Sequence, residues 1–115
     1  MHNKINYVEF PARDMDATKA FFAAVFGWGF TDYGEDYAAI NEAGLDGGFY
    51  RADHCASVAN GSVLVVIYSE NLEDSLERVK KHGGEIIKDI FAFPGGRRFH
   101  FSEPSGNEFA IWSDA

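Results

Sequence analysis

A chain of 115 residues that is 46% hydrophobic supports one packed core and leaves no room for two. Its formal charge of −8 repels nucleic-acid phosphates and anionic lipid headgroups, which disfavours a DNA, RNA or membrane-surface role. The single cysteine, Cys55, excludes an intrachain disulfide and a cysteine-rich metal site.

The opening residues Met1 to Lys4 lack the apolar stretch of a secretory signal, and no run approaches transmembrane length. A cytoplasmic location is the expectation, with neither membrane nor nucleic acid as a partner. Ile5 to Phe10 alternates and is rich in strand formers, and Pro11 is expected to end its pairing. Asp14 has the position of an N-cap. After it Met15, Thr18, Phe21, Phe22, Val25 and Phe26 recur at helical spacing, and Gly27 supplies the stop. Trp28, Phe30, Tyr33 and Tyr37 follow as an aromatic cluster that belongs either to the core or to a pocket wall. Cys55 stands between His54 and Ala56 in a loop, with no base or oxyanion motif beside it.

A second unit repeats this plan. Val63 to Tyr68 forms a strand-like run, Asn71 is the next cap, and Leu72, Leu76 and Val79 make the apolar stripe of a helix. Asp74–Arg78 and Glu77–Lys81 stand at i,i+4 spacing, and Gly83-Gly84 ends the helix. Phe93-Pro94-Gly95-Gly96-Arg97-Arg98 reads as a turn entering a strand. Its two arginines form either a basic lip for an anionic ligand or a solvated hairpin. The two units align at a constant offset: Val8 with Val65, Phe10 with Ile67, Asp14 with Asn71, Gly27 with Gly84, Phe30 with Ile87. Tyr37 through Gly44 then falls on Phe99 through Gly106. A strand, a helix and several short strands, twice over, predict an α+β domain spanning 1–115, with one module over about 1–57 and the other over about 58–115.

Several segments resemble the vicinal oxygen chelate family, which includes glyoxalases and bleomycin-resistance proteins. The opening Asn6-Tyr7-Val8-Glu9-Phe10-Pro11-Ala12-Arg13-Asp14, the Phe21-Phe22 helix, and Val25-Phe26-Gly27-Trp28 are similar to the start of such proteins. Phe101-Ser102-Glu103-Pro104-Ser105-Gly106-Asn107-Glu108-Phe109 is similar to the family's "D-P-x-G-N" close. The resemblance implies two βαβββ modules whose sheets form an incomplete barrel around a cleft, with helices on the outside. It also implies a homodimer. In metal-dependent members the cleft holds a divalent cation on the first and last strands of each module. Carried over, those positions fall on Tyr7, Leu64, Ala110 and, near the loosely aligned loop, Gly48. Leu, Ala and Gly offer no donor, and a phenol is a poor ligand at neutral pH. No metal and no cofactor are therefore expected. A displaced site built from Glu9, Glu108 and His100 is the alternative.

Strand alternation places Ile5, Tyr7 and Glu9, Leu64, Val66 and Tyr68, and Glu108, Ala110 and Trp112 on the cleft face. Val8, Phe10, Val65, Ile67, Phe109 and Ile111 then pack under the helices. Tyr7, Glu9, Leu64, Tyr68, His100, Glu108 and Trp112 are the expected ligand-binding residues, in a largely apolar and aromatic cleft. Glu9 is an acid/base or cation-anchoring candidate if buried beside Tyr7, Tyr68 and Trp112, and otherwise a rim carboxylate. His100 is either a proton relay or a structural hydrogen-bonder. His2, His54 and His82 form no constellation. The leading function is metal-free binding of a small molecule. A lyase, isomerase or dioxygenase-type enzyme, or an accessory dimerisation module with a vestigial cleft, are the rivals.

Overall fold

The computed structural model describes residues 2–115. The first module runs β1 (Tyr7–Ala12), α1 (Met15–Phe26), β2 (Gly29–Asp32), β3 (Tyr37–Asn41) and β4 (Asp46–Arg51). The second runs β5 (Val65–Tyr68), α2 (Leu72–Lys81), β6 (Glu85–Phe93), β7 (Gly96–Ser102) and β8 (Glu108–Ser113). Each makes a mixed four-stranded sheet: β1-β4-β3-β2, here called sheet A, and β5-β8-β7-β6, sheet B. In both, the strand before the helix lies parallel to the module's last strand and the remaining pairs are antiparallel. The architecture is α+β, with two open sheets in place of a closed barrel.

The helices start and stop where local chemistry dictates. The Asp14 carboxylate accepts from the Ala17 N–H at 3.1 Å, and Gly27 closes α1 at φ 74°, a left-handed conformation that a Cβ would penalise. Asn71 caps α2 by accepting from the Asp74 N–H at 3.0 Å. The apolar stripe of α1 buries Met15, Phe21, Phe22 and Val25, and Phe22 is the hub of the core. Its ring stacks on Trp28 at 4.7 Å and meets Phe109 of sheet B at 5.1 Å and Phe49 of sheet A at 5.5 Å. Phe10 spans the same gap to Phe109 at 4.9 Å. Each such buried ring contributes on the order of 2–3 kcal/mol through area alone, so this aromatic stack is what holds the modules together.

A buried polar knot reinforces that junction. Asn107, fully buried, donates to the Pro11 carbonyl at 2.6 Å and to Glu103 Oε2 at 3.0 Å, while its own oxygen accepts from the Ala56 N–H at 2.8 Å. Glu103 also accepts from Thr18 of α1 at 3.0 Å and from the Ser105 N–H. Burial pushes the Glu103 carboxyl up to about 7 despite the opposing pull of the Ser105, Asn107 and Thr18 donors. The Glu103-Pro104-Ser105-Gly106-Asn107 segment thus acts as a clasp between modules.

Four sequence expectations change. Pro11 does not end the first strand but lies within it, opposite Tyr50; β1 is an edge strand, so the missing N–H breaks no ladder bond. The strand pairings place Ala38 with Phe99 and Tyr37 with Arg98 in the repeat, one residue away from the expected Tyr37–Phe99 match. Likewise the counterpart of Phe30 is Ile86, which packs on the core, whereas Ile87 is 51% exposed beside a bulge in β6. Finally, Arg78 does not reach Asp74; it donates to the Ala24 and Val25 carbonyls at the end of α1, at 2.8 and 3.4 Å, where a cation complements the helix dipole.

Candidate functional site

Sequence alternation assigns faces correctly: Phe10, Phe109 and Ile111 are core, with Val8, Val65 and Ile67 packed against it. What the alternation does not show is that the opposite faces of the two sheets are separate surfaces within one chain. Tyr7 and Glu9 stand on sheet A. Tyr68, His100, Glu108 and Trp112 stand on sheet B, with Leu64 just before β5. Among the described residues no hydrogen bond or ring contact joins the two groups. Glu9 is therefore not buried beside Tyr68 and Trp112, as the single-cleft expectation has it; it is exposed.

On sheet A the polar groups satisfy one another. Tyr37 donates to Glu9 Oε2 at 2.9 Å, which leaves its oxygen to accept from Tyr7 at 2.5 Å. Burial, then the bonds to Tyr7 and Glu9, hold the Tyr37 phenol well above its ordinary range. This placement explains Gly48: a Cβ there would collide with the Tyr37 hydroxyl. The register equates the Glu9–Gly48 pair with the Val66–Ala110 pair, so Gly48 is the counterpart of Ala110. Of the four positions at which the family resemblance puts cation ligands, the first module's last-strand position is thus covered by a phenol. Leu64 and Ala110 present carbon, and the Tyr7 hydroxyl is engaged with Tyr37. Within one chain the Glu9, Glu108 and His100 alternative does not assemble either, because Glu9 is on the other sheet. Among the described residues no three His, Cys, Asp or Glu side chains gather to hold an ion.

Sheet B is built differently. The Nδ1–H of His100 donates to Glu108 Oε2 at 2.9 Å, and Glu108 Oε1 accepts from the Val58 N–H at 3.0 Å. The two side chains are only 7% and 9% exposed. The remaining ring nitrogen, Nε2, is buried and has no partner among the described residues. Two residues earlier on the same strand and face, Arg98 also has a buried Nε without a partner. Its guanidinium lies over Phe91 at 5.3 Å and Phe93 at 5.7 Å, while Lys88 covers Phe91 at 4.9 Å. Trp112 meets Tyr68 edge-on at 5.2 Å, and the Tyr68 hydroxyl donates to Asp114 at 2.6 Å, which raises the phenol's pKa. Arg97 turns away to a two-point ion pair with Glu73, the closer contact at 2.6 Å. The two arginines read together in the sequence thus have separate roles.

Two cavities open on this face. One of about 230 Å³ is walled by Val66, Phe93, Arg98 and Trp112. The other, about 350 Å³, is walled by Val58, Ala59, Ile87, Lys88, His100 and Glu108. A larger cavity of about 400 Å³ lies where Val8, Phe10 and Ile40 of sheet A meet β5, and it shares Val66 with the first cavity and reaches Tyr68. It is apolar and is lined by neither Arg98 nor His100.

Sequence reasoning missed Lys88, Phe91 and Phe93. Pairing shifts between Ile86 and Lys88 and between Lys88 and Phe91 interrupt the two-residue alternation of β6, so parity counting cannot place its side chains. Tyr37 was legible only as one of a cluster; what sets its direction is the space over Gly48.

A family model of the Glyoxalase/Bleomycin resistance protein/Dioxygenase superfamily matches residues 4–111. The anthracycline biosynthesis protein DauV of Streptomyces sp. (strain C5) is 28% identical over 117 residues, an alignment covering 86% of this chain and 42% of that protein. Among solved structures, the fosfomycin resistance protein FosX of Listeria monocytogenes has a TM-score of 0.80 at 17% identity, covering 100% of this chain and 96% of that one. A glyoxalase-related enzyme from Fulvimarina pelagi has a TM-score of 0.79 at 17% identity, covering 96% and 88%. At such identity the solved structures establish the fold alone, while the family model spans nearly all of the sequence. The chain belongs to the Glyoxalase/Bleomycin resistance protein/Dioxygenase superfamily.

Proposed function

We propose that this chain binds a small, flat, largely apolar molecule on the open face of sheet B, and that it does so without a divalent cation. The observation that carries this reading is the make-up of that face. Phe93, Trp112 and Val66 line a cavity with Arg98, and Val66 pairs with Ala110, one of the positions at which the family resemblance puts cation ligands. The similarity to DauV, whose name attaches it to anthracycline biosynthesis, agrees with a small-molecule ligand. Tyr68, His100, Glu108 and Trp112 form the site, with Leu64 at its margin.

A second copy of the chain completes the cleft. Ile5 is 80% exposed and Val63 83%, and Tyr7, Val66 and Tyr68 are exposed too, a set of large apolar side chains spread over the two open surfaces and their borders. Docking sheet A of one copy on sheet B of another covers both faces and brings Tyr7 and Glu9 opposite Tyr68 and Trp112. Sedimentation equilibrium at micromolar concentration is then expected to give twice the chain mass. A monomer mass refutes the dimer.

The test of the binding reading uses 2-naphthol, a neutral two-ring probe, in titration calorimetry. Saturable binding that falls about tenfold in Trp112→Ala is expected. Thermal melts with nickel, zinc, manganese or iron are expected to show no saturable rise, since a bound ion stabilises by mass action. A stoichiometric ion with a matching rise in Tm, or no binding of 2-naphthol, overturns the proposal.

A further inference from the structure

Buried polar side-chain atoms nearly always find a partner, and those that do not mark places where water or a ligand belongs. Among the described residues the buried side-chain nitrogens and oxygens without one are Arg98 Nε and His100 Nε2. They sit two residues apart on one face of β7, so their backbones are about 7 Å apart along the strand. His100 itself is only 6% exposed. Each borders one of the two cavities on that face, and Phe91 lies between them, its ring 6.0 Å from the His100 ring and under the Arg98 guanidinium.

The two atoms have opposite demands. In the tautomer whose Nδ1–H is committed to Glu108, Nε2 is a lone-pair acceptor and calls for a donor such as a hydroxyl. Arg98 is a permanent cation, and among the described residues no carboxylate pairs with it, in a protein with eight more acidic than basic groups. Lys88, over the same Phe91 ring, likewise lacks an ion pair. Two cations over one aromatic floor, one of them with a buried nitrogen that has no partner among the described residues, leave an anion as the missing partner.

We infer that the ligand of sheet B is an acidic hydroxylated aromatic: a flat ring system that lies against Phe93 and Trp112, places a carboxylate or similar oxyanion on Arg98, and donates a hydroxyl to His100 Nε2. This rests on the binding reading above and gives it a substrate class. Glu108 is then a positioning residue, which fixes the tautomer of His100 and does not touch the ligand.

Three probes that lose one group at a time test it by calorimetry: 6-hydroxy-2-naphthoate, 2-naphthoate and 2-naphthol. The carboxylate is expected to raise affinity about tenfold or more, comparing 6-hydroxy-2-naphthoate with 2-naphthol. Arg98→Met is expected to erase that gain, and an unchanged circular dichroism spectrum and melting temperature show that the variant is folded. The ¹⁵N resonance of His100 Nε2, read in the unmodified protein, is expected to move with 6-hydroxy-2-naphthoate and to stay with 2-naphthoate. If 2-naphthol binds but the carboxylate adds nothing, or the gain survives in Arg98→Met, or Nε2 ignores the hydroxyl, the acidic-aromatic assignment is wrong while the binding face stands. If 2-naphthol itself does not bind, the failure lies with the binding face.

Discussion

The open faces of the two sheets descend from one repeated plan yet handle their polar groups in opposite ways. On sheet A, Tyr7, Tyr37 and Glu9 form a closed chain of hydrogen bonds, and Gly48 has given up its side chain so that the Tyr37 phenol fits. On sheet B the corresponding strands carry Arg98 in place of Tyr37 and His100 in place of Ala39, and each keeps one buried nitrogen unpartnered. A face that satisfies itself offers a ligand little beyond surface; a face that leaves donors and acceptors unmet selects what binds. The repeated plan thus supplies two frames, and side-chain choice at a few aligned positions makes one of them self-satisfied and leaves the other with unmet nitrogens.

The most damaging change is expected where both faces share a foundation. Asn107→Ala removes three buried hydrogen bonds and strands the Ala56 N–H and the Pro11 carbonyl, a loss of about 3 kcal/mol or more by denaturant unfolding. A loss below about 1 kcal/mol would mean that the aromatic stack alone joins the modules.

Glu103 adds a pH signature to the same clasp. Folded, it keeps its proton up to about pH 7; unfolded, it releases it near the ordinary carboxylate value. Between those limits the unfolded state binds fewer protons, so this group's stabilisation is fully present below the unfolded pKa and is lost as pH rises through about 7. Denaturation from pH 4.5 to 8, compared with Glu103→Gln, is expected to isolate a decline of up to about 3 kcal/mol that the variant lacks. Parallel profiles for the two proteins would show that Glu103 stays ionised.

Sheet A alone is broken by Gly48→Ala. The new methyl displaces the Tyr37 phenol, at a cost of about 1–3 kcal/mol, and the high-pH tyrosine in a spectroscopic titration falls back toward the ordinary phenol range. An unchanged titration would show that the phenol is not held by this contact. The gentlest change sharpens the contrast between faces. Tyr37→Phe is expected to cost about 1 kcal/mol or less and to leave 2-naphthol affinity within about twofold, because the chain it interrupts is self-contained. A tenfold fall would bring the polar groups of sheet A into the binding site and end the asymmetry.

Much of the frame is readable without coordinates. Asp14 and Asn71 as caps, Gly27 as a stop, the apolar stripe of α1 and the period-two faces of β1, β5 and β8 are local consequences of dihedral preference and periodicity, and all appear. Pro11 misled because a strand's tolerance of proline depends on whether it lies at an edge, which is a property of the sheet and not of the strand. The partial misalignment of the repeat at Tyr37 has a similar source. The β3–β4 and β7–β8 connections differ in length by one residue, and only pairing partners reveal where the shift falls.

The candidate site was half legible. Glu108, Tyr68 and Trp112 follow from parity, His100 stands out as the histidine of its strand, and the carbon at Leu64 and Ala110 follows from the motif. Phe91, Phe93 and Lys88 do not, since bulges in β6 reset the alternation. By itself the sequence determined the elements and their inward faces, because each depends on residues near one another in the chain. Only the tertiary structure decided that the two open faces lie apart, that Tyr37 covers Gly48, and that Arg98 and His100 are left with unmet nitrogens. A hydrogen bond is satisfied or orphaned by whatever the fold brings within about 3 Å of it, and that proximity is written in no local stretch of sequence.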